Sequence, residues 1–343
     1  MSDTLSEREQ SVLAAVIQMY IETAEPTGSR TIAKRFPLGI SAATIRNTMS
    51  DLEDRGYLFH PHTSAGRIPT DRAYRVYVDR LIRRDPPDPE DRDTLRRELA
   101  GDAAGAIEGI LHKAAQVLGV LTQELGVAVA PSIDNAVLER LELLSVASDR
   151  LLMVLVMRGG LARTIFVELP SQLPPQAIDS VSLVLNERLS GLTLREIRTT
   201  LGDRLRDSAS GPATSELLNV FIEEAEQLFD PPATSNVVLG SAQPLAEQPE
   251  FSSTARMRTL LELTERPDML RTALQRRGQS GITVTIGGEN RDAMLSSFTI
   301  VTSAYRRGPL SGVIGVMGPT RMPYRKVLAL VGHASRLVEE LVG

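Results

Sequence analysis

The chain has 343 residues, 42% of them hydrophobic, with a formal net charge of −5 and no cysteine. That length predicts two or three domains with a sizeable core. The composition excludes disulfides and thiolate metal sites, the net acidity argues against a general nucleic-acid coat, and no window approaches the ~18 continuous apolar residues of a membrane span. The opening MSDTLSEREQ is polar and acidic, unlike a signal peptide, so a cytoplasmic protein is expected.

Residues 5–23 read as a helix with a capping box, Ser6 and Glu9, and a buried stripe of Leu13, Val16, Ile17 and Tyr20. Glu25 to Gly28 breaks it. Ser29 is placed to cap a short helix over 30–36, which Pro37 ends. After the turn at 37–40, Ser41 caps a third helix in which Ile45, Met49 and Leu52 share one face. The opposite face carries Ala43, Asn47 and Ser50, flanked by Thr44 and Arg46. Arg55-Gly56 stops this helix, residues 57–60 read as a short strand, 61–66 as a turn and 67–69 as its return. Thr70 caps a helix over 71–84 with a solvated arginine face (Arg72, Arg75, Arg80, Arg83, Arg84), some of it available to phosphate. Although the chain is acidic, residues 62–84 carry six Arg against two acidic residues.

DPPDPE (85–90) predicts a stiff spacer. Residues 95–125 have helical periodicity interrupted by Gly101, Gly105, Gly109 and Gly119, which makes the stretch two helices, or one with close neighbours. A strand at 127–130 and an antiparallel meander over 137–169 follow, then helices at 174–189, 194–205 and 215–229, closed by Pro231-Pro232. A strand at 237–239, helices at 254–264 and 267–277, strands at 282–286, 296–305 and 310–317 and a last helix at 323–341 complete an α+β chain.

Three short helices and a hairpin are the pattern of a winged helix-turn-helix. Small leading side chains let a helix enter the major groove, where Asn can bond an adenine edge and Arg a guanine edge. Arg46, Asn47 and Ser50 are the base-reading candidates, with Ala43 beside them. Ser29, Arg30, Ser41 and Thr44 lie near helix starts that can meet phosphate, although capping suffices to explain Ser29 and Ser41. His62, Thr63, Ser64, Gly66 and Arg67 form the hairpin tip, with Arg67 expected on phosphate or in the minor groove. The plainer alternative is an amphipathic helix and hairpin in any α+β domain. His60 and His62 lack a third ligand nearby, and Gly312, Gly315 and Gly318 lack the Gly-Lys-Ser/Thr of a phosphate loop. No nucleophile elbow or catalytic triad is visible, so no enzyme, cofactor or metal is expected.

The runs SAATIRNTMSDLEDRGYLFHPHTSAGRIPTDRAYRVYVD (41–79), EPTGSRTIAKRF (25–36) and IGVMGPTRMPYRKVLALV (314–331) resemble the HrcA family, the bacterial heat-inducible transcription repressors. The similarity runs the whole chain in order. It departs at Ala73, where many members have Gly, and near Thr48, where they have an acidic residue. These departures bear on fine half-site preference. The resemblance implies a homodimeric repressor of chaperone operons that binds double-stranded DNA at an inverted-repeat operator and depends on the GroEL chaperonin to stay folded. It also implies a winged-helix domain (1–84), a linker and connecting helix (85–104), a GAF-like domain (105–169 and 236–343) and an inserted dimerisation domain (170–235, a start at 137 being the alternative). Two rival readings are a regulator sensing a small molecule in the GAF-like body and a module whose winged helix binds protein.

Overall fold

The computed structural model describes residues 5–342 except 63–64, 84, 101–106, 132, 160–161, 209–210, 230–236, 267–268, 271–272, 275–280 and 309. The chain divides into two compact units, the first taking 1–129, 237–305 and 313–342, the second 130–236 and 306–312.

The first unit opens with helices α1 (Glu7–Thr23), α2 (Ser29–Arg35) and α3 (Ala42–Asp54), packed on one another, and a hairpin of strands β1 (Leu58–Phe59) and β2 (Ile68–Pro69). The Ser6–Glu9 capping box starts α1, and Val12, Leu13, Val16 and Ile17 are its buried face. Ser41 Oγ accepts from Thr44 N–H at the start of α3, and Gly56, at φ +75°, follows its C-cap. Ser29 does not cap. The N-cap of α2 is Gly28, without a side-chain bond, and Ser29 is the first helical residue. Thr27 exchanges two backbone hydrogen bonds with Arg67 (3.0 and 2.9 Å), so the α1–α2 turn lies as a third partner along the hairpin.

Thr70 caps α4 (Asp71–Val76), which widens into a π-helical turn over Tyr77–Leu81 and ends at extended Ile82. Here the predicted helix to 84 falls short. The spacer is also shorter than expected. Helix α5 begins at Pro89 and runs to Ala100, burying Leu95 and Leu99, because proline is tolerated in a first helical turn.

In chain order there follow α6 (Ile107–Thr122) and β3 (Leu125–Val129). Next come β4 (Leu138–Ala147), β5 (Arg150–Met157), β6 (Ala162–Glu168), α7 (Pro175–Leu189), α8 (Leu194–Leu205), α9 (Pro212–Glu223) and α10 (Ala225–Phe229). The chain continues through β7 (Val237–Leu239), α11 (Gln243–Ala246), α12 (Thr254–Glu265), β8 (Ile282–Ile286), β9 (Phe298–Arg307), β10 (Leu310–Pro319) and α13 (Tyr324–Val342). The expected helix at 267–277 lies largely outside the described residues, as do Gly101 and Gly105. Gly109 and Gly119 sit inside α6 and do not interrupt it.

In the first unit the sheet order is β7-β3-β10-β9-β8. Helices α5, α6 and α13 pack together, and α6 lies on β3. A Cβ at Gly126 would stand 1.8 Å from the Ala115 carbonyl oxygen, so only glycine lets α6 come this close to the strand. Val127, Val129, Phe298, Ile300 and Met317 share a core with Leu260 and Leu263 of α12.

In the second unit β4, β5 and β6 form an antiparallel sheet. Leu141, Leu143, Leu151, Met153, Leu155 and Val167 of that sheet share one core with Val181, Leu185, Ile197, Leu201, Leu217 and Phe221 of the helices. The division expected at 170 therefore falls inside a single core. The meander belongs with the helices after it, because its apolar face is buried by them, and the unit begins near 130.

Candidate nucleic-acid interface

Helix α3 turns Ile45, Met49 and Leu52 inward, each 0–1% exposed. Helical spacing then sends Ala43, Arg46, Asn47 and Ser50 outward, and all four are exposed. Among the described residues no group bonds the side chains of Arg46, Asn47 or Ser50. The edge therefore presents a guanidinium, a carboxamide and a hydroxyl, with a small residue at its leading end. Ser41 and Thr44 close that end, their hydroxyls 2.9 Å apart. Thr48 is buried, its hydroxyl donating to the Thr44 carbonyl at 3.1 Å. Ser29 is half-buried and Arg30 exposed at the start of α2.

In the hairpin, His62 is exposed and its carbonyl accepts from Ala65 N–H at 3.0 Å, while Thr63 and Ser64 lie outside the described residues. A Cβ at Gly66 would be 2.4 Å from the Thr27 backbone. Glycine here serves close packing of the hairpin against the α1–α2 turn, not only the tight turn itself.

Arg67, expected on phosphate or in the minor groove, is held by a carboxylate of its own chain. Its side chain is 11% exposed, and its Nε and Nη2 lie 3.0 and 2.9 Å from Glu53 Oε2. Glu53 Oε1 meets His60 Nδ1 at 2.7 Å. One carboxylate near the end of α3 thus fastens the residue after β1 and the residue before β2. Burial pushes the Glu53 carboxyl upward, but the bonds from His60 and Arg67 outweigh it and hold the group below the ordinary carboxylate value. Among the described residues, no group of three or more His, Cys, Asp or Glu could hold a metal ion.

The arginines that follow are largely committed to the fold. Arg72 lies 4.6 Å from the Tyr57 ring centroid and donates to the Arg55 carbonyl at 2.8 Å. Arg75 donates to Glu289 and to the Val284 carbonyl. Arg80 and Arg83 remain exposed. The basic strip read in 62–84 is therefore in good part an internal clasp. The Glu53 and Glu289 roles were not visible in sequence: nothing in the spacing links Glu53 to a hairpin arginine 14 residues on, or Arg75 to a carboxylate 214 residues on.

Residues 108–328 match the sequence model of the HrcA protein C terminal domain. The heat-inducible transcription repressor HrcA of Chlorobium phaeobacteroides (strain BS1) is 41% identical over 350 residues, covering 98% of each chain. That of Chlorobaculum tepidum is 37% identical over 352 residues, covering 98% of this chain and 97% of its own. A crystal structure of a hypothetical protein shares the fold at a TM-score of 0.64, with 23% identity and 99% of both chains covered. With over half its length matched by the family's own domain and almost all of it by these relatives, the chain belongs to the HrcA family of heat-inducible transcription repressors.

Proposed function

We propose that this chain represses chaperone operons by seating the outer edge of α3 in the major groove of an inverted-repeat operator, as a homodimer. The observation that carries this is the exposure of Ala43, Arg46, Asn47 and Ser50 along one unpartnered helix edge. Three helices followed by a hairpin that pairs with the α1–α2 turn support reading residues 1–84 as a winged helix-turn-helix. The five-stranded sheet flanked by helices supports the GAF-like reading of the body. Arg46 and Asn47 are assigned to base edges, with Ser50 and Ala43 against the groove floor. Arg30, Ser29, Ser41 and Thr44 face the flanking backbone, and the tip from His62 to Gly66 approaches it from the other side. Arg67 acts mainly through Glu53, holding the hairpin at its angle to α3.

Dimerisation is assigned to the second unit. Its sheet turns an apolar outer face outward: Leu144, Val146 and Phe166 are 50%, 57% and 62% exposed. Leu144 and Phe166 flank Leu152 in one cross-strand row. Arg150 and Glu168 lie at its margin and carry both signs, which suits a self-complementary contact across a two-fold axis. Dependence on the GroEL chaperonin, implied by the resemblance, completes the reading.

The test is Asn47→Ala, measured on the operator footprinted in the protein's own upstream DNA and on random duplex. The variant is expected to lose about 1–3 kcal/mol of discrimination between the two. Equal losses on both duplexes would move Asn47 to a backbone contact and remove the base-reading assignment.

A further inference from the structure

Among the described residues, three groups of contacts tie α1 and α4 to the rest of the first unit. At the first, Asp71, which opens α4, accepts from Gly288 N–H at 3.0 Å. Gly287 has φ +51°, and a Cβ there would lie 2.0 Å from Asp71 Oδ2, so the Gly287–Glu289 turn forms a cradle around that carboxylate. One turn along α4, Arg75 donates through Nε to Glu289 Oε1 at 2.8 Å and through Nη2 to the Val284 carbonyl at 2.7 Å. Glu289 is itself fixed, because its Oε2 accepts from Ile286 N–H at 2.9 Å.

The second point is Arg321. It grips Glu250 with Nε and Nη2 (2.6 and 3.0 Å) and donates through Nη1 to the Ile21 carbonyl at 2.7 Å. Ile21 lies in the last turn of α1, which has no basic residue of its own, so Arg321 satisfies a carbonyl the helix leaves open. The third is an aromatic cluster. Tyr74 and Tyr77 pack on Tyr324 with ring centroids 5.6 and 6.4 Å apart, and Tyr74 and Tyr324 are 1% and 0% exposed. Arg325 pairs with Asp85 in the spacer, and Lys326 with Asp91 in the first turn of α5 at 2.9 Å.

We infer that Asp71, Arg75 and the 287–289 turn are positioning residues that hold the DNA-reading helix at one angle on the rest of the first unit, and that losing this hold widens the range of half-site spacings the repressor accepts. The inference rests on the dimer-on-inverted-repeat reading above. Two heads on one dimer gain from each other only if the second is delivered where its half-site lies. A head on a free linker tolerates many spacings weakly, whereas a fixed head tolerates one spacing well. None of the clasp residues lies on the exposed edge of α3, so they can alter spacing without altering base contacts.

The experiment uses the full-length protein and duplexes carrying its footprinted repeat, with the spacer varied one base pair at a time through a helical turn, and a duplex with a single half-site. The parent should show a sharp optimum. Arg75→Ala should lower affinity at that optimum by about tenfold or more and flatten the profile, with single half-site affinity unchanged. Arg75→Lys, which keeps a cationic donor facing Glu289, should recover part of the optimum, and an unchanged thermal melt of Arg75→Ala separates positioning from a folding defect. A sharp profile retained by Arg75→Ala would overturn the inference. If the parent bound two half-sites no better than one, the reading beneath it would fail first.

Discussion

Glu124 shows how far a single residue can be set by its surroundings. It follows α6, is 1% exposed, and its carboxylate packs so close to Gly318 that a Cβ there would stand 1.8 Å from it. Burial pushes its pKa well above the ordinary 4.5, against the smaller opposing pull of the Gln248 amide, 3.3 Å away, and of Arg321. The folded state therefore keeps a proton that the unfolded chain has released. Stability falls as pH rises from the ordinary carboxylate value toward the raised one. Glu124→Gln keeps the shape and an acceptor for Gln248 without that cost. It should melt above the parent at pH 8, with the gap closing toward pH 4. A variant that melts lower at pH 8 would show the carboxylate to be needed there. Glu53 has the opposite sign: its lowered pKa adds stability above the ordinary carboxylate value, lost as pH falls through the folded value.

At the scale of elements, the starts of α2 and α3 look alike in sequence, each with a serine before or at the first turn. They differ in what that serine does. Ser41 accepts from Thr44 N–H at 3.1 Å, whereas Ser29 stands one residue inside its helix behind Gly28. Ser41→Ala should cost about 1 kcal/mol of stability in denaturant melts, and Ser29→Ala less than about 0.5 kcal/mol. Equal costs would mean that the hydroxyl of Ser29 has a role the cap geometry does not give it. The hairpin is two residues per strand. Such a hairpin is marginal by itself. It is held here by Thr27 on one side and by Glu53, through His60 and Arg67, on the other.

In the second unit the inner sheet face is closed by α7 to α10, and the outer face with Leu144, Val146 and Phe166 is not. Phe166→Glu should place a charge in that patch and raise the dimer dissociation constant by about tenfold or more in sedimentation, with the circular dichroism spectrum unchanged. Unaltered sedimentation would move the dimer contact elsewhere. No helix among the described residues is long and apolar enough to cross a membrane.

Local chemistry was enough to read most elements. The Ser6–Glu9 box, the Ser41 and Thr70 caps, the stop at Gly56 and the period-two runs of the meander depend on neighbours within a few residues, and the elements stand where those signals put them. The exposed edge of α3 was legible for the same reason: helical spacing alone separates Asn47 and Ser50 from Ile45 and Met49. Long-range pairing was not. That Arg67 turns onto Glu53, that Arg75 closes on Glu289 and Arg321 on α1, and that the meander shares its core with the helices after it all depend on which surfaces meet in space. An arginine in a sequence shows only that a charge must find water or a partner, and the tertiary structure decides which.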